Sequence, residues 1–390
     1  MRLHGVWPVT AGVLAILASA CSGGSGSGTD SVGTTSTDLA LGGSSGDGAL
    51  LRRVFDLDRG STVPPNGDLN PYGIAFVPDA FPAGGLIDRD DVLVSNFNNS
   101  ANLQGTGTTI VRVNPGRPPT VFFENPNAPG FSTALGVLQR GFVLVGNVPS
   151  TNGSGVACGP NPADTTPVNV GQGAIQIIDR HGTLVSVLAS AQLLDGPWDL
   201  FVDDHGATAN VFVSNALSGT VTRLGLSVGD TLVTVTSATQ IASGYVHRCD
   251  PAAFLVAPTG LALDRGRDVL FVASTGDNVI FAVPDASDRT TDAGRGVPVV
   301  TDQAHLHGPL GLVRAPNGDL ISAQGDAVNP DPHQQSEIVE FTADGKFVTE
   351  LSVDPDTAGA AFGVALDDDA DKFAAVNDDS NTADIWQVRR

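Results

Sequence analysis

The chain of 390 residues is poor in basic residues, with 20 Lys and Arg against 42 Asp and Glu and a formal net charge of −22. No cluster of Lys or Arg offsets this excess of acid. Because such a chain repels polyanions, the charge excludes nucleic acid and an anionic lipid surface as expected partners. Neutral ligands and cations remain compatible with it.

The sequence also has few aromatic residues (6%), three cysteines, and no long segment with the 3.6-residue period of a helix. It is instead rich in residues that interrupt regular structure, with 47 Gly and 25 Pro between short apolar runs. This composition is typical of an all-β protein.

The first 48 residues do not have the composition of a folded core. Residues 5–20 are uncharged and mostly apolar, a length that suits a signal peptide and is short for a membrane span. The segment Leu17 to Cys21 resembles a bacterial lipobox, with Ala18 where Leu or Val is usual. The alternative is ordinary cleavage after Ala20 without lipid. A Gly/Ser-rich stretch follows Cys21 directly, which favours a lipidated tether.

These features predict three segments: a signal peptide at 1–20, a lipidated Cys21 with a disordered tether at 21–48, and a folded domain at 49–390. The expected location is the cell envelope, extracytoplasmic or periplasmic, with the lipid as the only membrane contact. The sequence leaves the oligomeric state open.

A degenerate repeat runs through the folded segment. Its clearest copy reads Ala257 to Asp264 and then Asp268 to Thr275, a short strand, a turn and a second apolar strand. Six copies align when Gly73, Gly136, Asp199, Gly260, Gly311 and Gly363 are taken as equivalent. Four short strands in each of six copies predict a six-bladed β-propeller. The sixth copy has three strands, so Leu50 to Phe55 is expected to supply its fourth and close the ring.

The segments 257–264 and 270–280 resemble an NHL repeat. The structural relatives of that family include gluconolactonase/regucalcin-type hydrolases, strictosidine-synthase-like proteins, peptide-amidating lyases and non-catalytic binding modules. The resemblance therefore implies the fold without choosing a function. Gluconolactonase-like relatives hold a metal with a Glu at the start of a first strand. In this chain Asp199 is the acid at such a position.

Polar residues end all six of the predicted second strands. These residues are Asn96, Asn147, Asn215, Ser274, Gln324 and Asn377. Because equivalent strand ends meet at one face of a propeller, they and Asp199 are candidates for binding a small polar ligand. The alternative is that each caps a turn.

Two groups are candidate metal ligands. Asp199 with Asn147 and Asn215 would offer oxygen atoms to Ca²⁺, whereas His305 and His307 would offer nitrogen atoms to Zn²⁺. The two histidines reach one ion only if their segment is extended. His247 and His333 are expected on the same face, while His181 and His205 fall in turns on the opposite one. The alternative is that all are surface histidines without a metal, so no cofactor is certain.

Cys158 and Cys249 lie in loops expected on that same face. In an exported protein two such cysteines favour a disulfide, and a nucleophilic thiol is the alternative. No residue is predicted to be catalytic. The leading hypothesis is a non-catalytic module that binds a small polar ligand or an envelope protein. A metal-dependent lactonase/esterase-like hydrolase or lyase, and a cell-envelope assembly scaffold, are the alternatives.

Overall fold

The computed structural model describes residues 48–155, 169–325, 338–354 and 360–390. In those ranges the chain forms six four-stranded antiparallel sheets and one two-stranded sheet. The six sheets are the blades of a β-propeller, which confirms the predicted fold class. No helix in the described ranges is long and apolar enough to cross a membrane. The predicted signal peptide, Cys21 and nearly all of the tether lie outside these ranges.

The strands follow the chain in order around the ring, apart from the first. The first three blades are β2 (Leu69–Phe76), β3 (Val92–Asn98), β4 (Thr109–Arg112) and β5 (Thr120–Glu124); β6 (Phe131–Leu138), β7 (Phe142–Asn147), β8 (Ala174–Asp179) and β9 (Leu184–Leu188); and β10 (Pro197–Asp204), β11 (Thr208–Asn215), β12 (Thr220–Val228) and β13 (Val233–Ser243). A hairpin of β14 (Arg248–Asp250) and β15 (Phe254–Val256) follows. The last three are β16 (Pro258–Asp264), β17 (Val269–Ser274), β18 (Val279–Pro284) and β19 (Val297–Val300); β20 (Pro309–Arg314), β21 (Leu320–Gln324), β22 (Ile338–Phe341) and β23 (Phe347–Leu351); and β24 (Ala361–Leu366), β25 (Lys372–Asn377), β26 (Thr382–Val388) and β1 (Val54–Ser61).

The second strand of each blade is covered by the neighbouring blades on both faces. Every residue of β3, β7, β17 and β21 is buried. This explains why these strands read as continuous apolar runs and not as alternating patterns. The outer strands β9 and β19 are partly exposed, as expected at the rim of a ring.

The N-terminal strand closes the ring, as predicted. Strand β1 pairs antiparallel with β26, from Val54 opposite Val388 to Ser61 opposite Thr382. The predicted bounds were wrong, because the strand begins at Val54 and not at Leu50. Leu50 and Leu51 instead lie in the core, 0% and 5% exposed. Their backbone N–H groups donate to the carboxylate of Glu340 at 2.8 and 2.9 Å, which anchors the segment to blade five.

The pairing of first and second strands corrects one equivalence of the repeat. The second-strand ends pair with Pro71, Phe131, Pro197, Pro258, Pro309 and Ala361. The residues directly before the next shared pair of these strands are Gly73, Ala134, Asp199, Gly260, Gly311 and Gly363. Ala134 is thus the blade-two equivalent, and the assignment of Gly136 was wrong. The cause is the longer bulge in β6, where the five residues from Phe131 to Leu135 lie opposite the three from Val145 to Asn147.

The glycines of this set permit the close approach of first strands around the axis. A Cβ on Gly260 would lie 2.3 Å from the Leu310 carbonyl oxygen, and one on Gly363 would lie 2.3 Å from that of Tyr72. Side chains are therefore excluded at these positions. Ala134 and Asp199 are the two members of the set that carry a side chain, so Asp199 is the polar member of the set.

Candidate functional site

A cavity of about 600 Å³ lies on the propeller axis, at the end where first strands begin and second strands end. We call it the axial cavity. Its walls come mainly from blades one and six and from the β14–β15 hairpin. The described residues that line it are Leu69, Asn70, Tyr72, Asn98, Asn102, Gln104, Trp198, Ala252, Ala253, Leu255, Thr275, Leu310, Gly325, Phe362, Asp378, Asp379 and Asn381.

Three aromatic side chains from different blades form the apolar floor of the axial cavity. Tyr72 stacks on Phe362 with ring centroids 4.3 Å apart, and Trp198 meets Tyr72 edge-on at 5.8 Å. Phe97 packs beneath, stacked on Tyr72 at 4.4 Å. Each floor residue directly precedes one of the equivalent first-strand residues described above, Gly73, Asp199 and Gly363. The floor therefore lies next to the level at which the first strands approach one another most closely. Interlocked rings of this kind make a rigid platform.

The hairpin of β14 and β15, which the repeat does not predict, covers one side of the cavity. Phe254 contacts the rings of Phe97 and Trp198, with centroids 5.2 and 6.4 Å away. Its neighbours Ala253 and Leu255 belong to the wall. The available sequence signal was the apolar run Ala252 to Val256 outside the repeat.

The polar wall contains three side-chain oxygens that lack a hydrogen-bond partner. The side-chain oxygens of Asn70, Asn98 and Gln104 are buried and have no hydrogen-bond partner, and all three residues line the cavity. Asn98 is 2% exposed, and its Nδ2 donates to Oδ1 of Asn102 at 2.7 Å. Because Nδ2 makes this bond, Oδ1 is the side-chain atom of Asn98 that lacks a hydrogen-bond partner. A buried acceptor in this state costs about 1–3 kcal/mol, so three together indicate a place where a donor belongs.

Two carboxylates complete the wall from the turn between β25 and β26. Asp378 and Asp379 lie in this turn and line the cavity. The same turn is joined to blade one, because the Asn70 N–H donates to Oδ1 of Asn381 at 2.7 Å. The polar wall is therefore assembled from two segments about 300 residues apart in the chain.

The structure places the six predicted strand-end residues next to this cavity but not in its wall. All are buried, and each uses at least one polar atom within the fold. Asn96 donates to the Thr62 carbonyl, Asn147 to that of Pro129, Asn215 to that of Leu193, and Ser274 to Asp277 Oδ2, whereas Gln324 and Asn377 accept from the N–H groups of His307 and Ser380. These hydrogen bonds are those of residues that cap turns and loops, which was the alternative to binding a ligand.

The predicted face nevertheless contains the cavity. Asn98, Thr275, Gly325 and Asp378 line it, and each follows one of the predicted residues by one or two positions.

Asp199 lies on the other side of the aromatic floor, in a narrow axial tunnel of about 210 Å³. The tunnel is lined by the first strands, mostly with apolar side chains. Burial raises the pKa of Asp199 from 3.8 to about 8, although the Leu200 N–H donates to its carboxylate and opposes the shift. Asn147 and Asn215 line neither the tunnel nor the axial cavity, so the proposed oxygen trio does not converge there.

The two candidate zinc histidines make separate contacts. His305 stacks on Phe347 at 3.8 Å between ring centroids, and its Nδ1 lies 2.8 Å from Asp302 Oδ2. The Leu306 N–H donates to the Asp302 carbonyl, so the segment turns and is not extended as the shared ion would require. Nε2 of His307 lies 3.4 Å from the Ala304 carbonyl oxygen. Among the described residues no group of three or more His, Cys, Asp or Glu has metal-binding geometry.

The remaining histidines divide between the two faces. His247 is exposed, with Nδ1 3.0 Å from the Tyr245 carbonyl oxygen. His181 and His205 lie in turns at the far end of the blades, and His205 pairs with Asp203 at 3.0 Å. His333 lies outside the described residues.

Cys249 is in β14 and packs against the aromatic cluster of the cavity floor. Cys158 lies outside the described residues, so its pairing with Cys249 stays a prediction. Gly155 packs so tightly against β14 and β15 that a Cβ there would lie 2.3 Å from the Asp250 carbonyl oxygen. The blade-two loop therefore reaches the hairpin three residues before Cys158.

No family model matches the chain, and no curated protein matches it. Solved structures do share its architecture. A gluconolactonase from Xanthomonas campestris, described as important in glucose secondary metabolic pathways, aligns with a TM-score of 0.52 at 14% identity over 88% of this chain and 93% of its own. A putative oxidoreductase (glucose dehydrogenase) from Thermus thermophilus aligns with a TM-score of 0.50 at 14% identity over 85% and 100%. The chain is thus a six-bladed β-propeller with gluconolactonase-like structural neighbours, and at 14% identity this likeness shows the fold alone.

Proposed function

We propose that the protein binds a small polar organic molecule in the axial cavity, as a binding module and not as a catalyst. The observation that carries this is one cavity lined both by an aromatic floor and by Asn70, Asn98 and Gln104, whose buried side-chain oxygens lack donors. A cavity of about 600 Å³ has the size of a small-molecule site, and an apolar floor with a few convergent polar groups is its usual lining.

Blocking the cavity tests this function. Ala252 is exposed at the cavity wall, so Ala252→Trp should fill the mouth without disturbing a blade. Melting temperatures are measured with a defined panel of monosaccharides, aldonolactones and primary amines at millimolar concentration. At least one compound should stabilise the wild type, by about 2.7 kcal/mol at one hundred times its Kd. The same compound should not stabilise Ala252→Trp.

Ala207→Trp is the matched control, because Ala207 is exposed in the turn between β10 and β11 at the far end of blade three. It should retain the full ligand-induced shift. If no compound shifts the wild type, or if both variants respond like it, the axial cavity is not the binding site.

A second candidate is hydrolysis of a lactone or ester, as in the hypothesis of a gluconolactonase-like enzyme. Asp378 and Asp379 support it, since a carboxylate beside a bound carbonyl can act as a general base. Turnover of an aldonolactone by the wild type, absent in Asp378→Asn and in a chelated sample, would favour this candidate over binding alone.

We also propose that the protein is a lipid-anchored component of the cell envelope, supported by the lipobox-like segment that ends at Cys21. In its native host the full-length chain should incorporate labelled palmitate and enter the detergent phase of a Triton X-114 separation. Cys21→Ser should lose both properties, while Ser22→Ala keeps them. Unlabelled wild-type protein that starts at Cys21 and stays in the aqueous phase would show cleavage without lipidation.

A further inference from the structure

We infer that the ligand of the axial cavity is an organic cation, an amine bound as its ammonium ion and carrying a short apolar body. This inference rests on the proposed function and specifies its ligand.

The wall of the axial cavity contains oxygens that could accept hydrogen bonds from a ligand. The unpartnered oxygens of Asn70, Asn98 and Gln104 accept hydrogen bonds but cannot donate them. A primary ammonium group brings three N–H donors, which such oxygens can accept. The amide N–H groups of the same side chains could also donate to a sugar hydroxyl, so it is charge that favours an ammonium.

Charge favours a cation over a neutral donor. Asp378 and Asp379 face the cavity, and none of its described lining residues is Lys, Arg or His. The whole chain adds a formal net charge of −22. A carboxylate near a partly enclosed ammonium is stabilising at low local dielectric, and the field of the acidic chain raises the local concentration of cations.

Size and the floor favour an organic cation over a bare metal ion. One water molecule takes about 30 Å³, so an ion with a few waters would leave most of the roughly 600 Å³ cavity unfilled. The rings of Tyr72, Trp198 and Phe362 offer apolar surface opposite the polar wall. A molecule with an ammonium at one end and a hydrocarbon body at the other satisfies both.

The test is titration calorimetry of the full-length protein with 2-phenylethylammonium chloride and with its neutral counterpart 2-phenylethanol. The ammonium should bind at least tenfold more tightly than the alcohol. Asp378→Asn should weaken ammonium binding at least fivefold. Gln104→Glu, which keeps the acceptor and adds a charge, should strengthen it severalfold.

Asp230→Asn is the control for net charge, because Asp230 is on the surface with its side chain 91% exposed and does not line the cavity. It should leave the affinity within twofold of the wild type. Equal affinity for the alcohol, or indifference to Asp378→Asn and Gln104→Glu together, would overturn the inference. Binding of glucose or of calcium chloride, blocked by Ala252→Trp while the amine fails to bind, would retain the proposed function and overturn this inference alone.

Discussion

Leu50→Ala is expected to lower the free energy of unfolding by about 2–5 kcal/mol, the usual range for removing a buried leucine side chain. Leu50 is 0% exposed and lies in the core cluster between blades five and six. It also lies four residues before Val54, where the strand that closes the ring begins, so the cavity left by the mutation lies beside the closure. Chemical denaturation followed by tryptophan fluorescence measures the loss.

Leu57→Ala is the matched control, since Leu57 belongs to the closing strand but is 45% exposed. Its effect should stay below about 0.5 kcal/mol. Similar losses for both variants would mean that burial of Leu50 does not hold the segment in place.

Asp199→Asn is expected to make the protein more stable above neutral pH. The pKa of Asp199 is raised from 3.8 to about 8 in the folded protein, so the folded state holds its proton more tightly than the unfolded chain. Its contribution is therefore fully present below pH 3.8 and is lost as the pH rises to about 8. Because the tunnel admits some water, the gain from Asn at pH 8.5 is roughly 2–5 kcal/mol rather than the full value of the shift.

Melting temperatures of the wild type and Asp199→Asn between pH 4 and about 9 test this sign. The difference between the two should grow with pH and reach a plateau above the folded pKa. Asp230→Asn should run parallel to the wild type, because its carboxylate is exposed on the surface. A difference that does not change with pH would show that Asp199 ionises normally.

The sequence predicted the architecture because each blade repeats one plan. The doubly covered second strands, such as Val269–Ser274, are apolar throughout and stand out in the chain. Ring closure was predictable from counting strands in the last copy. The bounds of the closing strand were not, because Leu50 and Leu51 look like strand residues but bind Glu340 through their backbone.

The residues predicted to bind a ligand lie on the face that contains the axial cavity but not in its wall, and their binding of a ligand stays a prediction. The repeat pointed to Asn96 and Asn377, whereas the cavity wall uses Asn98 and Asp378. Local pattern cannot supply this difference of one or two positions, because it depends on how each strand end turns. The pairing of Asn70 with Asn381 was also beyond reach, since it joins segments at opposite ends of the chain.

The hydrogen bond from Asn70 to Asn381 crosses the junction where the ring begins and ends. Thr62, just after the closing strand, donates to the carbonyl of the same Asn381. The wall of the axial cavity therefore lies beside the last blade, where β1 and β26 form the one pairing in the six blades between strands that are not consecutive in the chain. A molecule held there would tie the beginning of the domain to its end, so saturation should slow the release of the N-terminal strand and with it the opening of the whole circle.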